Sequence, residues 1–276
     1  MKIAVASSLF SRYCLERTFE AASRLGYDGI ELWGGRPHAY APDMDDIAVE
    51  RICALREKYH LKIPMYAPEL IRYPYNLCSA DERERQQTTS LLQSCVHVAQ
   101  KIGAPRLRVC CGHTQYFTTR KQNMENLRRA LEPVVELAEK MQIYLVLAPL
   151  APMQSDVLCL ADELAEMIAR MDSPYVQGML DTIVPLICWE PYYPYFEKIR
   201  RLDYIHLSDG NGKTQERLPI GTGVIDIPAF LETLRRYRFD GWLTILLEEN
   251  YMRDPELFAG GELRKLKKLL HESVSR

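Results

Sequence analysis

The feature of this sequence that most constrains its fold is a regular alternation of short apolar runs with longer segments of helical period. In the first long segment, Leu15, Phe19, Ala22 and Leu25 recur at spacings of three and four residues, as one face of a helix does. The short runs are rich in β-branched residues and predict eight strands: Lys2–Ser7, Gly29–Trp33, Lys62–Tyr66, Arg106–Cys110, Tyr144–Leu147, Val176–Leu180, Tyr204–Leu207 and Trp242–Leu247. The long segments predict helices at Leu15–Leu25, Asp46–Tyr59, Ala80–Ile102, Lys121–Met141, Leu160–Met171, Pro228–Arg236 and Glu256–Ser273, with a shorter one near Tyr193–Arg200.

Eight strands, each followed by a helical segment, predict parallel βα units that close into a single (β/α)8 barrel, the TIM-barrel class of α/β fold. No low-complexity segment divides the 276 residues, so one domain is expected to span residues 1–276. In barrels of this kind the functional groups lie where the strands end and the following loops converge. The ends of the predicted strands are therefore where a site is expected.

Composition argues against several classes of function. The chain carries 35 Lys and Arg against 37 Asp and Glu, whereas a nucleic-acid binder normally has a net basic surface. It has no apolar run near the roughly 20 residues that span a bilayer, and its first apolar stretch is too short for a signal peptide. Eight cysteines without C-x-x-C spacing indicate reduced thiols. We expect a cytoplasmic protein with neither a nucleic-acid nor a membrane partner.

A polar and aromatic set of residues stands at the predicted strand ends. Aromatic faces pack on the C–H surfaces of sugars, and charged groups bind their hydroxyls, so such a set at one rim predicts a sugar pocket. The candidates are Glu31, Trp33, Arg36, His38, Tyr66, Glu69, Tyr73, His113, Asp181, His206 and Glu248. Three of them have simple structural alternatives: a surface ion pair for Arg36, a solvated loop for His38 and loop packing for Tyr73.

Asp181 and His206 are the hardest of these residues to explain structurally. Each lies in or directly after an apolar strand, where a charged or polar side chain is costly unless it is paired or ligates a metal. Imidazole and carboxylate groups from separate strands suit Mn²⁺, Co²⁺, Zn²⁺ or Mg²⁺, which polarise a carbonyl group. Isomerisation beside a ketone also needs an acid and a base near the carbon that loses its proton.

Residues 26–39 read Gly-Tyr-Asp-Gly-Ile-Glu-Leu-Trp-Gly-Gly-Arg-Pro-His-Ala. This stretch resembles the xylose-isomerase-like TIM-barrel superfamily and, more narrowly, its fructoselysine 3-epimerase group. The resemblance implies a cytosolic barrel enzyme that binds a divalent metal, moves a proton at C3 of a ketose or ketosamine, and forms a homodimer or homotetramer. Further matching positions are Pro68-Glu69, Tyr73-Pro74-Tyr75-Asn76, His113, Pro149-Leu150, Asp181, His206, Tyr251-Met252 and Pro255.

The metal site of this superfamily has four ligands: Glu on strand 5, Asp on strand 6, His on strand 7 and Glu on strand 8, with the two Glu residues serving as acid and base. The resemblance puts Asp181 and His206 in the second and third places, but Ala148 and Leu246 in the first and fourth. Glu248 lies two residues beyond Leu246, on the same strand face and about 7 Å further along. A bulge there could return Glu248 to the metal.

The leading hypothesis is a sugar isomerase or epimerase homologue that acts on a ketose or a fructosamine-type substrate such as fructoselysine or psicoselysine, by metal-assisted proton transfer. In it Asp181, His206 and Glu248 hold the divalent cation, and Glu248, His113 and Glu69 are the catalytic groups. The substrate-binding residues are Glu31, Trp33, Arg36, His38, Tyr66, Tyr73 and Arg217, the last resembling a substrate-contacting arginine of related epimerases. The alternative is a non-catalytic sugar-binding or regulatory paralogue.

A third class, a nuclease of the apurinic-endonuclease branch of the superfamily, is disfavoured. That chemistry uses several zinc ions and needs many histidine and acidic ligands, whereas this chain has six histidines. Its near-neutral charge also argues against a nucleic-acid substrate.

Overall fold

The computed structural model describes residues 1–71 and 74–274. The strands, in chain order, are β1 Lys2–Ala6, β2 Gly29–Gly34, β3 Tyr66–Pro68, β4 Arg106–Cys110, β5 Tyr144–Ala148, β6 Val176–Gly178, β7 Leu180–Asp181, β8 Tyr204–Leu207 and β9 Trp242–Ile245. The α-helices are α1 Leu15–Leu25, α2 Asp46–Lys58, α3 Glu82–Ile102, α4 Arg120–Met141, α5 Ala161–Met171, α6 Ile183–Cys188, α7 Tyr193–Lys198, α8 Ile227–Arg236 and α9 Pro255–Val274.

The strands form one parallel sheet that curls into a nearly closed barrel. Their spatial order is β6-β5-β4-β3-β2-β1-β9-β8-β7, so the two edges of the sheet are β6 and β7. These two are successive pieces of one strand, separated by Met179, whose backbone N–H donates to the Leu147 carbonyl at 3.2 Å. The predicted (β/α)8 barrel is confirmed, with its sixth strand divided in two.

The third strand differs most from its prediction. Of the expected run Lys62–Tyr66, Lys62 forms an isolated bridge with Gly29 and Tyr66 alone belongs to the ladder, which covers Tyr66–Pro68. Pro64 accounts for part of this shift, because proline has no N–H to give to a ladder. The strand therefore ends two residues later than expected, which moves the loop that follows it.

Most helices begin and end within two residues of their predicted bounds, because their apolar faces are clear in the sequence. The first spans the predicted residues and ends at Gly26, whose φ of 87° is a left-handed conformation that glycine adopts without strain. Helix α6 was not predicted, since its sequence is a continuous apolar run without a polar face. None of the helices in the described ranges is long and apolar enough to cross a membrane.

Candidate functional site

A cavity of about 540 Å³ opens at the carboxyl ends of the strands, where the fold predicts the site. This volume lies within the range of small-molecule pockets. Its lining combines charged, polar and apolar side chains: Ala6, Ser8, Ser11, Arg12, Glu31, Trp33, Ala67, Glu69, Ile71, Arg108, Gln154, Gln215, Arg217, Leu246, Leu247, Glu248, Asn250 and Met252.

A chain of buried charged groups crosses the barrel beneath this cavity. The His206 ring lies between two carboxylates, with Nε2 2.7 Å from Glu31 Oε2 and Nδ1 3.4 Å from Asp181 Oδ2. Tyr204, on the same strand as His206, donates its hydroxyl to Glu31 Oε2 at 2.9 Å. All four side chains are buried, so strands β2, β7 and β8 are joined through polar contacts in the interior.

Arg217 extends the same chain towards the cavity mouth. Its guanidinium binds both oxygens of Asp181, with Nη1 and Nη2 each 2.7 Å from a carboxylate oxygen. The Nε of Arg217 is 3.3 Å from Glu248 Oε1, and the Glu248 side chain is 38% exposed. We call the chain of Glu31, His206, Asp181, Arg217 and Glu248 the charge chain.

The loop after β8 holds Arg217 in this position. The carboxylate of the fully buried Asp209 accepts four backbone N–H groups, from Gly210, Gly221, Gly223 and Ile225, at 2.8 to 3.0 Å. Asp209 also forms an antiparallel bridge with Leu218, the residue next to Arg217. Asp209 thus holds both ends of the loop together, and the loop places Arg217 against Asp181.

Neighbouring charges favour the ionised forms of Glu31, Asp181 and His206 despite their burial. Burial alone would raise the pKa of Asp181, but the charge of Arg217 and hydrogen bonds from His206 and Arg217 hold it well below its ordinary value. Burial likewise opposes a charged Glu31, yet His206, Arg108 and Tyr204 lower its pKa. Burial disfavours protonated His206, but Glu31 and Asp181 raise its pKa above the ordinary value. The two carboxylates therefore favour the cationic form of the imidazole.

The donor set does not fit a resident divalent metal. Within residues 1–71 and 74–274 no three His, Cys, Asp or Glu side chains have the arrangement of a metal site. The side chains of Ala148 and Leu246 have no metal-ligating atoms, and both oxygens of Asp181 are bound by Arg217. Both ring nitrogens of His206 face carboxylates, so no lone pair is directed at a common centre. The Arg217 guanidinium thus occupies the Asp181 carboxylate that a metal ion would need as a ligand.

Arg108 is a cavity residue that the sequence reasoning missed. It lies on β4 with a side chain 11% exposed, and its Nη1 is 3.4 Å from Glu31 Oε1. Its Nε has no hydrogen-bond partner among the described residues, and the same is true of the buried side-chain oxygens of Gln154 and Gln215. The alternation Arg106, Arg108, Cys110 along one strand face was the available signal, since charges on a buried strand need partners as Asp181 and His206 do.

The structure brings together part of the predicted site. Trp33 and Glu69 line the cavity and are joined by a hydrogen bond of 3.1 Å from Trp33 Nε1 to Glu69 Oε2. The remaining predicted members at the cavity or in the charge chain are Glu31, Asp181, His206, Arg217 and Glu248. Trp33 is the one aromatic side chain in the cavity wall formed by described residues, so the aromatic contribution is smaller than expected.

Four other predicted site residues lie outside the cavity wall. Arg36 is exposed and pairs with Asp43, and the exposed His113 ring contacts the Thr114 carbonyl. Two are buried with local partners: His38, between the Ser7 hydroxyl and the Tyr13 carbonyl, and Tyr66, whose hydroxyl donates to the Ala39 carbonyl at 2.6 Å. Burial lowers the pKa of His38, which favours the neutral ring. Tyr73 lies outside the described residues.

Comparisons with known proteins agree on the family. The model of the xylose isomerase-like TIM barrel family matches residues 19–269. Fructoselysine 3-epimerase of Shigella flexneri is 32% identical over 273 residues, which cover 99% of each chain, and the protein of that name in Escherichia coli O157:H7 matches equally.

Solved structures agree on the fold. A D-tagatose 3-epimerase-like protein superposes with a TM-score of 0.83 at 20% identity, covering 99% of this chain and 100% of its own. The IOLI protein, solved with a bound zinc atom, superposes with a TM-score of 0.82 at 15% identity, covering 99% of both chains. With a family model that covers most of its length, and with relatives named fructoselysine 3-epimerase at 32% identity, the chain belongs to the xylose isomerase-like TIM-barrel family.

Proposed function

We propose that this protein binds a ketose or a fructosamine-type sugar in the cavity at the strand ends, and that it does so without a resident metal. The observation that carries the proposal is the pairing of Arg217 with both oxygens of Asp181, next to Ala148 and Leu246. The pocket is retained, while the donors that the superfamily uses for its metal are replaced or already bonded.

The cavity has the properties that sugar binding needs. Sugar hydroxyls both donate and accept hydrogen bonds, and the cavity offers the carboxylates of Glu69 and Glu248 beside the side-chain carbonyls of Gln154 and Gln215. Trp33 supplies an aromatic surface, held at its indole N–H by Glu69. The fructosamine-type substrate is favoured by the 32% identity to proteins named fructoselysine 3-epimerase.

The metal-assisted proton transfer of the leading hypothesis finds less support in this donor set. Each general acid or base contributes roughly 10²–10⁴-fold to such a reaction, and both superfamily carboxylate positions hold apolar residues here. Glu248 remains as a carboxylate near the site, but it is bonded to Arg217. The non-catalytic sugar-binding paralogue is therefore the function that the geometry supports best.

Two measurements test this proposal. Isothermal titration calorimetry with fructoselysine, psicoselysine and D-fructose should show binding of at least one sugar, with the same affinity in EDTA as in Mn²⁺ or Co²⁺. In D₂O the bound sugar should keep its C3 proton, as followed by NMR. A stoichiometric transition metal in protein purified without chelator, together with C3 exchange, would establish the catalytic hypothesis instead. Absence of binding to every ketose and ketosamine would refute both.

Two further properties remain predictions. The resemblance favours a homodimer or homotetramer, which light scattering coupled to size-exclusion chromatography measures directly. The cytoplasmic location expected from the cysteine content is tested by fractionation of the native host.

A further inference from the structure

Arg108 is a largely buried cation with few hydrogen-bond partners among the described residues. Its side chain is 11% exposed, and in the described part of the chain its one hydrogen bond runs from Nη1 to Glu31 Oε1 over 3.4 Å. A guanidinium has five N–H donors, so most of the donor capacity of Arg108 is not used by these residues. Burying a charge with so few partners is costly, which calls for an explanation.

The position of Arg108 points to the cavity. It lines the cavity wall and lies two residues before Cys110, where β4 ends, hence about 7 Å deeper along the strand. Arg217, the other buried arginine of the wall, is engaged by Asp181 and Glu248. Arg12 is exposed at the rim. Of the three arginines in this wall, Arg108 is thus both deeply placed and still able to donate to a ligand.

The surrounding charges decide what such a ligand can be. Glu31 accepts from His206 and Tyr204 as well as Arg108, so its negative charge is shared among three donors. Among the described residues, the one anion that accepts a hydrogen bond from Arg108 is thus shared with two other donors. A ligand oxygen that carries negative charge gains more from a guanidinium than a neutral hydroxyl does, because charge-assisted hydrogen bonds are shorter and stronger.

We propose that Arg108 is the anchor for an oxyanion group on the ligand, so that the cavity selects a sugar bearing a carboxylate or a phosphate over its neutral counterpart. This inference rests on the proposed sugar-binding function and names the class of sugar. Arg108 binds the charged group deep in the barrel, while Gln154 and Gln215 accept hydrogen bonds from the hydroxyls. A carboxylate and a phosphate share this chemistry, and matched sugars distinguish them.

The experiment uses two pairs of ligands that differ in one group each. 5-Keto-D-gluconate and L-sorbose differ by a carboxylate in place of a hydroxymethyl group, and D-fructose 6-phosphate and D-fructose differ by a phosphate. Calorimetry on the full chain should show the charged member of at least one pair binding about 10- to 100-fold more tightly. The pair that shows the preference identifies the group. Equal affinities within both pairs would overturn the inference, whether or not any variant folds.

Two variants then assign the preference to Arg108. Arg108→Gln should bring the affinity for the charged sugar down to that of the neutral one, while Arg108→Lys should retain part of the preference. Arg36→Gln is the control outside the cavity wall and should keep the preference. Near-UV circular dichroism checks that each variant is folded. If Arg108→Gln keeps the preference, or Arg36→Gln abolishes it, Arg108 is not the anchor. If neutral and charged sugars bind equally, the Arg108 inference fails and the proposed sugar-binding function is unaffected. If no sugar binds at all, both are refuted.

Discussion

Single residues set the charge balance of this site. With His206 protonated, three cations (His206, Arg108, Arg217) face three anions (Glu31, Asp181, Glu248) in one connected region. Buried ion pairs add little net stability compared with apolar packing, but removing one partner leaves an uncompensated buried charge. The charge chain should therefore be sensitive to the loss of any one member.

Arg217→Gln is the direct test of that sensitivity. The change removes the cation bonded to both oxygens of Asp181, and we expect the free energy of unfolding to fall by about 3 kcal/mol. Urea denaturation followed by tryptophan fluorescence measures it. Arg36→Gln is the matched control, because Arg36 pairs with Asp43 on the exposed surface and its loss should change little. Equal effects of the two substitutions would contradict the interpretation.

The raised pKa of His206 predicts a pH dependence of stability. A group whose pKa is raised by folding contributes stability below its unfolded pKa, here near 6.5, and loses it as the pH rises through the folded value. Asp181 and Glu31 have lowered pKa values, so their contribution is present above about 4 and is lost as the pH falls.

The melting temperature, measured between pH 4 and pH 9, checks this expectation. The wild type should be most stabilised relative to His206→Gln between about pH 4.5 and 6.5, and the difference should shrink towards pH 9. A difference between the two proteins that does not vary with pH would show that the imidazole is not held as a cation.

At the scale of elements, the loop after β8 depends on Asp209. Asp209→Asn turns one of the two acceptor oxygens into an NH₂ donor, so two of the four backbone N–H groups lose their acceptor and about 2 kcal/mol of stability should be lost. Hydrogen exchange of residues 210–225 should rise, because backbone N–H groups of this loop are no longer held by the Asp209 side chain. Asp226→Asn is the control: it caps α8 through one contact with Ala229 and should leave that loop protected. Unchanged exchange in Asp209→Asn would contradict the role given to Asp209.

Sequence periodicity was sufficient to predict the bounds of elements that bury only one face. Helix α1 was predicted to the residue, because its apolar positions and the terminating glycine are local signals. The third strand was misplaced because Pro64 interrupts a run that otherwise has strand composition. The Asp209 loop could not be predicted, since its contacts join residues up to 16 positions apart. The same limit hid the pairing of Arg217 with Asp181, 36 residues away.

The candidate site was predictable in part for a physical reason. A charged side chain inside an apolar strand is visible in sequence, which singled out Asp181 and His206. Arg108 gives the same signal but lies in mid-strand, whereas functional groups of this fold are expected at strand ends. Arg36 and His113 were expected at the cavity because they follow strands, yet their loops turn them to solvent.

At the scale of the whole molecule, stability should not depend on divalent metal. A ligand that binds only the folded state raises its stability by mass action, so a resident metal would make the melting temperature respond to EDTA. We expect the melting temperature of the wild type to be the same in EDTA, Mn²⁺ and Co²⁺. A rise of several degrees in the melting temperature with either ion would contradict the conclusion that these residues do not bind a divalent metal.

The double variant Ala148→Glu/Leu246→Glu is the matched comparison. It restores carboxylates at the two positions where the superfamily has them, and Mn²⁺ or Co²⁺ should then raise the melting temperature. Calorimetric titration with the same ions should show binding by this variant and none by the wild type. No response of the double variant to either ion would mean that Arg217 alone is enough to keep metal out.

With His206 protonated, the charge chain and Arg108 together hold three cations and three anions, and this balance limits which substitutions the site tolerates. A glutamate at position 148 alone adds a fourth anion to a balanced set, and loss of Arg217 alone exposes Asp181 and Glu248 to each other. Each single step towards a metal site therefore passes through a less stable intermediate, although the combined change need not. Substitutions at contacting residues of this kind are non-additive. The pairing of Arg217 with Asp181 therefore opposes the conversion of this pocket into a metal site by any single substitution.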